Sequence, residues 1–433
     1  MIPKLTSFVI VLNVILATSF AFSAQVNFQP RVTSDITYTD NVFRTENNTK
    51  SDYIFTAGPG GILEILGKNS GMRLIADPAF VTYKDGSRDD TWRLPATLNI
   101  WSQFAKRSRF EIFNRFLRSD DPNEDRAVIN EEDGRVEAPG DTTVRRGRGA
   151  YYINYATARV DHQFGKDDSV YAQFLHSLRR DNDRDGNDND RFAPSAGLVY
   201  WFGPKWGTTV DATYTDARFD NSEDYKDILG IFQLNRRITQ QLIIFGRYGY
   251  AKRDNDDNVD DYQVHAPSAG FSYDLAKDAR ISLAAGYFYQ DIDDGDSEQG
   301  FFGTADAYKI WTGPRWNARL GGAAGLDRND FGNERLGFER YAEVYGKATY
   351  NFTRHFFGDV NGGYRYSDFI NASRKDNRFR AGAGLGWRPL TWMTLSLNYS
   401  FYKLDSDDAE EYDENRAWFR ITLSPDQPWR LFN

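Results

Sequence analysis

Along most of the chain, apolar and polar side chains alternate at every second position. Between Met393 and Phe401 one set reads Met393, Leu395, Leu397, Tyr399 and Phe401, and the set between them reads Thr394, Ser396, Asn398 and Ser400. Ile281, Leu283, Ala285, Tyr287 and Tyr289 repeat the arrangement, as do Ala417, Phe419, Ile421 and Leu423. A period of two puts successive side chains on opposite faces of an extended strand, so each segment has one apolar face and one wet face. The stretch Leu242 to Gly249 is weaker, because Ile243 and Phe245 add apolar groups to the second face. Tyr225 to Arg236 and Phe301 to Trp311 are the least regular segments.

Two kinds of connection separate the segments. Short turns are built from turn-forming residues: Gly67-Lys68-Asn69-Ser70, Gly165-Lys166-Asp167-Asp168, Gly203-Pro204-Lys205, Ala276-Lys277-Asp278 and Gly313-Pro314-Arg315. Between them come long stretches rich in Asp and Asn, at Asn41 to Ser51, Asp120 to Gly149, Asp181 to Asp190, Asp254 to Asp260, Asp291 to Gly300 and Asp405 to Asp413. The segments exceed the roughly 9 to 11 residues that a tilted strand needs to cross hydrocarbon, and after the first residues nothing approaches the roughly 18 apolar residues of a spanning helix. The pattern therefore predicts an all-β fold, a closed antiparallel transmembrane β-barrel of about 20 strands with about 18 as the alternative, short periplasmic turns and long extracellular loops.

The beginning of the chain has a different texture. Lys4, the apolar run Phe8 to Phe20, and the small residues Ala21, Ser23 and Ala24 read as a signal peptide over residues 1–24, cleaved after Ser23 or Ala24. The barrel is expected over residues 25–424. Residues 425–433 follow as a C-terminal tail, either hanging into the periplasm or packing Trp429 to Phe432 against the rim.

Composition agrees with this division. The 433 residues are 15% aromatic and include 36 Gly and no Cys, as suits an apolar skin around a polar lumen, with no thiol for a lipid anchor. The net charge of −9 disfavours nucleic acid as a partner. The first strand starts within a few residues of the leader, which leaves no room for a plug domain, so a barrel this wide should hold an aqueous lumen.

Candidate chemistry lies on the inward set, because a lone charge facing lipid costs about 2 to 4 kcal/mol at mid-membrane. The register places Arg73, Arg93, Arg115, Arg159, Arg247, Arg319, Arg365, Arg378 and Arg380 inward, together with Asp35, Asp77, Glu111, Asp211, Asp227, Glu343 and Asp359. Trp101, Tyr155, Trp201, Tyr341 and Tyr345 belong to the same set. Arg–carboxylate pairs would keep such an interior ordered. Alternatively, rings beside charges form a track for a saccharide, with ring faces stacking on the sugar and charged groups bonding its hydroxyls. The segment Asp120 to Gly149, carrying Arg145, Arg146 and Arg148, is the candidate to fold inward and constrict the lumen.

Other chemistries are poorly supported. Asp181, Asp183, Asp185 and Gly186 open like a calcium loop, but Phe192 stands where a bidentate Glu should close it. Asp291 to Asp296 form a second acidic cluster, read like the first as a solvated loop. His162, His176, His265 and His355 are scattered without metal spacing, and Ser177 beside His176 would point to the other face. No enzyme activity, cofactor or metal is expected.

The stretch Tyr38-Thr39-Asp40-Asn41-Val42-Phe43-Arg44, followed by Asp52-Tyr53-Ile54 and Gly58-Pro59-Gly60, resembles the opening of a family of outer-membrane β-barrel porins associated with exopolysaccharide loci. The resemblance implies a bacterial outer-membrane location and export of exopolysaccharide, or passage of polar saccharide-like solutes, with periplasmic export proteins completing the conduit. Outer-membrane lipid and lipopolysaccharide would surround the wall. The motif residues also have a purely structural reading, in which Asp40 and Asn41 suit the turn leaving the strand and Phe43 folds back on the rim. The competing expectation is a surface structural or adhesion barrel with a closed lumen, acting through its acidic loops.

Overall fold

The computed structural model describes residues 24–121, 128–129, 136–138, 149–181, 188–221, 223–256, 260–293, 295, 297–328, 338–370, 374–408 and 411–432. The expected signal segment before Ala24 therefore lies outside the described residues.

The elements are β1 (Gln25–Thr39), β2 (Asp52–Leu66), β3 in two lengths (Ser70–Ala76 and Ala79–Tyr83), β4 (Thr91–Ala105), β5 (Ser108–Ser119), β6 (Tyr151–Gln163) and β7 (Ser169–Asp181). They continue as β8 (Asn189–Tyr200), β9 (Trp206–Phe219), β10 (Tyr225–Arg237), β11 (Leu242–Asn255), β12 (Tyr262–Ala276), β13 (Ala279–Ile292) and β14 (Glu298–Thr312). The wall is completed by β15 (Trp316–Arg328), β16 (Phe338–Asn351), β17 (Phe356–Phe369), β18 (Arg374–Leu390), β19 (Met393–Ser406) and β20 (Tyr412–Leu423). Each strand pairs antiparallel with the next, and β20 returns to β1 through Val32–Thr39, so the twenty strands close. Val128–Ile129 and Val136–Ala138 pair as a separate two-stranded sheet.

The two segments of least regular pattern are full strands, β10 and β14, paired on both sides. The pattern blurs in β10 because Leu229 and Ile231 face inward, opposite Thr213 and Asp211. Elsewhere chemistry interrupts the ladder locally. The pairing of β8 with β9 skips from Phe192 to Ser195, and that of β12 with β13 skips from His265 to Ser268. Pro194 and Pro267 lie in these gaps, and proline has no N–H to give the neighbouring strand.

Strand β3 breaks at Asp77-Pro78, and β2 is shaped to receive the break. A Cβ on Gly58 would collide with the Pro78 carbonyl and Ala79 Cα, and one on Gly60 with the Asp77 carboxylate. At Gly58 only glycine permits so close a backbone approach. Asp77 itself forms an ion pair with Arg31 across β2.

The two faces of the wall differ as the alternation demands. Val32, Ile36, Val210, Phe232, Ile244, Leu283, Leu320, Val344, Val360 and Leu397 are exposed around the outside. Aromatic rings flank this band near the short turns (Phe164, Tyr200, Trp206, Trp316, Tyr350, Trp387) and near the long loops (Tyr38, Tyr53, Tyr214, Tyr248, Tyr289, Tyr364). Lipid solvates such a band, and ring girdles suit its two interfaces.

The closing seam has little backbone pairing. Strands β1 and β2 pair over fifteen residues, whereas β1 and β20 pair over eight. The lower part of β1 is covered instead by β21 (Trp429–Phe432), which continues the direction of β20 after a break and pairs with Val26–Phe28. Phe28 and Trp429 meet edge to face at 6.3 Å, and the Gln29 side chain donates to the Pro425 carbonyl at 3.1 Å. Of the two arrangements open for residues 425–433, the sheet contains the one in which Trp429 to Phe432 pack on the barrel.

Candidate functional site

Residues opposed across a pairing point to the same side of the wall, so a face can be followed strand by strand. Glu64 opposes Arg73, Arg73 opposes Asn99, Trp101 opposes Glu111, and Glu111 opposes Arg159. Continued through every strand, this face also carries Asp35, Arg93, Arg115, Tyr155, Asp211, Asp227, Arg247 and Arg319. It carries Tyr341, Glu343, Tyr345, Asp359, Arg365, Arg378 and Arg380 as well. It is the inner face, because its side chains meet over intervening strands, whereas the other face carries the exposed apolar band. Asp77 sits in the β3 break, and Trp201 lies just past β8 with the Arg237 guanidinium 4.0 Å above its ring.

These residues form separate ladders rather than one continuous track. Near the turn rim, Arg159 binds Asp161 at 2.9 Å and Gln173 at 3.3 Å and lies 3.8 Å over the Tyr171 ring. The Tyr171 hydroxyl donates to Asp211 at 2.7 Å. Near the loop rim, Arg365 joins Glu339 and Glu343 and caps the Tyr341 ring at 4.2 Å, while Asp376 is held between Arg374 and Arg378 at 2.8 and 3.1 Å. Trp101 lies flat over Gly71, where a Cβ would strike its ring. The inner face is also apolar in places. Tyr155 packs on Phe113 and Leu175, and a second patch joins Tyr262, Val264 and Phe288 with Leu229 and Phe302.

The mouth beside the seam is more elaborate. The segment after β1 turns into the lumen, where Val42 and Phe43 are buried against Ile54, Val81 and Tyr83. Arg44 adopts φ 56°, a left-handed conformation that costs a non-glycine residue about 1–3 kcal/mol. Its guanidinium offsets that cost by bonding buried Glu414 at 3.2 Å and stacking over Tyr412 at 5.4 Å. Burial opposes the charge on Arg44, yet Tyr412, Glu414 and Asp121 together hold its pKa above the ordinary guanidinium value.

The same segment staples the seam. Asp40 accepts from the backbone N–H and the side-chain amide of Asn415, both at 2.7 Å, and Thr39 donates to Glu414 at 3.0 Å. The Asn41 amide donates to the Asp413 and Thr45 carbonyls at 2.9 and 2.8 Å. Asp52 holds the next loop by accepting from the N–H groups of Asp85 and Ser87 at 2.9 and 3.2 Å. From the end of β5, Ser119–Asp121 reaches toward the seam, where Arg416 grips Asp121 at 3.1 and 2.8 Å; Asp120 bonds Tyr83 and Arg88. Phe43 folds back on the inside of the rim, against Ile54, Val81 and Tyr83.

Glu414, Arg416, Trp418, Arg420 and Tyr402 are absent from the residues singled out by sequence, whereas Asp120 and Asp121 open the segment expected to fold inward. A signal existed for four of them, because Glu414, Arg416, Trp418 and Arg420 are the set alternating with Ala417, Phe419 and Ile421. The proposed constriction at Arg145, Arg146 and Arg148, and the acidic residues Asp183, Asp185 and Asp296 with Gly186, lie outside the described residues. His176 faces outward, stacked at 4.6 Å on Phe192 and 2.6 Å from Asp190, and Ser177 faces inward beside Tyr155.

No family model matches the chain, and no curated protein matches it. Among solved structures it is similar to the outer membrane protein opdK from Pseudomonas aeruginosa, at 13% identity and a TM-score of 0.37, covering 92% of this chain and 99% of that one. It is also similar to Pseudomonas aeruginosa OccK2 in complex with glucuronate, at 11% identity and a TM-score of 0.38 over 92% and 98% of the two chains. The ferric citrate transporter FecA matches at 9% identity and a TM-score of 0.46 over 92% and 79%. Likenesses at these scores carry no weight for what this chain does.

Proposed function

We propose that the chain is a bacterial outer-membrane conduit for polar, saccharide-like solutes, with its short turns in the periplasm and its long loops outside. The observation that carries this reading is the contrast between the two faces of one closed wall: apolar side chains outside, and arginines, carboxylates and phenols inside. A barrel of more than about 16 strands leaves an aqueous channel unless something fills it. The mouth staple covers the part of the opening beside the seam and narrows the passage there.

Exopolysaccharide is the cargo favoured by the motif at Tyr38 to Arg44, and periplasmic export proteins would complete the route. Lipopolysaccharide and phospholipid would contact the outer band and its ring girdles. Purified, folded protein in planar bilayers should give discrete conductance steps. No channels, even after removal of residues 122–148, would favour a closed adhesion barrel instead. A deletion strain that secretes polysaccharide normally would remove the cargo and leave the pore.

A further inference from the structure

Under the mouth staple the inner wall encloses a chamber of about 210 Å³, bounded by β19, β20 and β1 to β4 and roofed by Ser119–Asp121. Its charged lining consists of three arginines, Arg93, Arg416 and Arg420, and three aspartates, Asp35, Asp120 and Asp121. The rings of Tyr83, Tyr402 and Trp418, the hydroxyls of Thr37, Thr56, Ser119 and Ser400, and the apolar side chains of Ile54 and Val81 complete it. The Arg420 side chain is 40% exposed while its partner Asp35, 3.6 Å away, is 8% exposed, so the chamber opens on the Arg420 side.

Each ligand class can be weighed against that lining. An anion or a cation would gain from one set of charges and lose to the other, because the two signs balance. An apolar guest would strip water from charged groups and return no hydrogen bonds. A neutral ring bearing several hydroxyls can satisfy both signs at once, donating to carboxylates, accepting from guanidinium groups, and laying its C–H face on an indole. The volume is below the about 300–1,000 Å³ of pockets for drug-sized ligands, which limits the guest to a single ring.

We propose that this chamber is a binding subsite for one neutral sugar residue, with Trp418 as the stacking platform and Asp35 and Arg420 as the hydroxyl-bonding pair. The proposal rests on the conduit reading, since it supposes that a saccharide reaches the chamber through the lumen.

Titration calorimetry on detergent-folded protein tests it with D-glucose, D-galactose, D-mannose, D-glucuronate and D-glucosamine. At least one neutral hexose should bind about tenfold more tightly than either charged sugar. Trp418→Ala should weaken that binding about tenfold or more, and Trp418→Phe should restore it, with heat-dependent gel mobility confirming that each variant is folded. No binding by any neutral hexose, tighter binding of glucuronate or glucosamine, or a Trp418→Ala variant that binds as well as wild type would each overturn the subsite. Conductance measured on the same preparation separates the two ideas. Channels without sugar binding overturn the subsite and leave the conduit; sugar binding without channels does the reverse.

Discussion

Arg416 on β20 and Asp121 just past β5 form a forked ion pair, with N–O distances of 3.1 and 2.8 Å, that reaches across the interior past β1 to β4. A contact between strands that are not neighbours braces a barrel in a way ladder hydrogen bonds cannot. It also spans the opening beside the seam.

Asp121→Ala should release this brace. Arg416 keeps Glu414 at 3.4 Å, so the variant leaves no isolated charge and the barrel should remain folded. The expected outcome is a larger single-channel conductance than wild type in planar bilayers at the same salt. Equal conductance would mean that the narrowest point lies elsewhere.

Arg44→Ala should be more damaging to stability than to size. The side chains of Arg44 and Glu414 are 7% and 3% exposed, and Arg416 and Thr39 stay beside Glu414, so the loss should fall below the about 3–5 kcal/mol that an uncompensated buried charge costs. Arg44→Lys should recover only part of the loss, because an ammonium lacks the planar fork and stacks poorly. Urea unfolding in detergent micelles, followed by tryptophan emission, measures both.

These two sites show where sequence reasoning stops. Alternation fixed which residues of β13, β19 and β20 face out, because a period of two is a local property of a strand. Arg44 and Glu414 are 370 positions apart, and Arg416 and Asp121 are 295 apart, so no local pattern pairs them. The stretch from Tyr38 to Arg44 is plain in the sequence as a string of residues. That its Asp40, Asn41 and Arg44 fasten the first strand to the last depends on a closure that only the whole register specifies. The apolar inner patch blurs the pattern where β10 sends Leu229 inward, because an apolar side chain on the inner face breaks the alternation.

Gly58→Val should destabilise the barrel, and Gly246→Val should not. A side chain at Gly58 meets the Pro78 carbonyl and the Ala79 backbone, whereas one at Gly246 meets open space. Overpacking of this kind costs about 1–3 kcal/mol, which the same urea titration resolves. Equal loss at both positions would point to β-propensity or chain flexibility as the cause.

Single cysteines at Leu395 and Ser396 test the assignment of faces. Leu395 opposes Ile421 and Ser396 opposes Arg420, so Leu395→Cys should react with a membrane-soluble maleimide and Ser396→Cys with a charged one. Identical labelling of the two would overturn the register.

The short seam has a kinetic meaning. Eight backbone pairs between β1 and β20, three more from Trp429–Phe432, and the bonds from Asp40, Asn41 and Arg44 all need the two ends of the barrel sequence to be present together. Bringing together segments so far apart costs loop-closure entropy before any contact repays it. Asn41 and Arg44 therefore gain their bonds to Asp413 and Glu414 only once the final strand has docked, whereas Val42 and Phe43 already have β2 and β3 to pack on. Protease resistance at Arg44 should appear late in refolding, as a marker that the cylinder is complete.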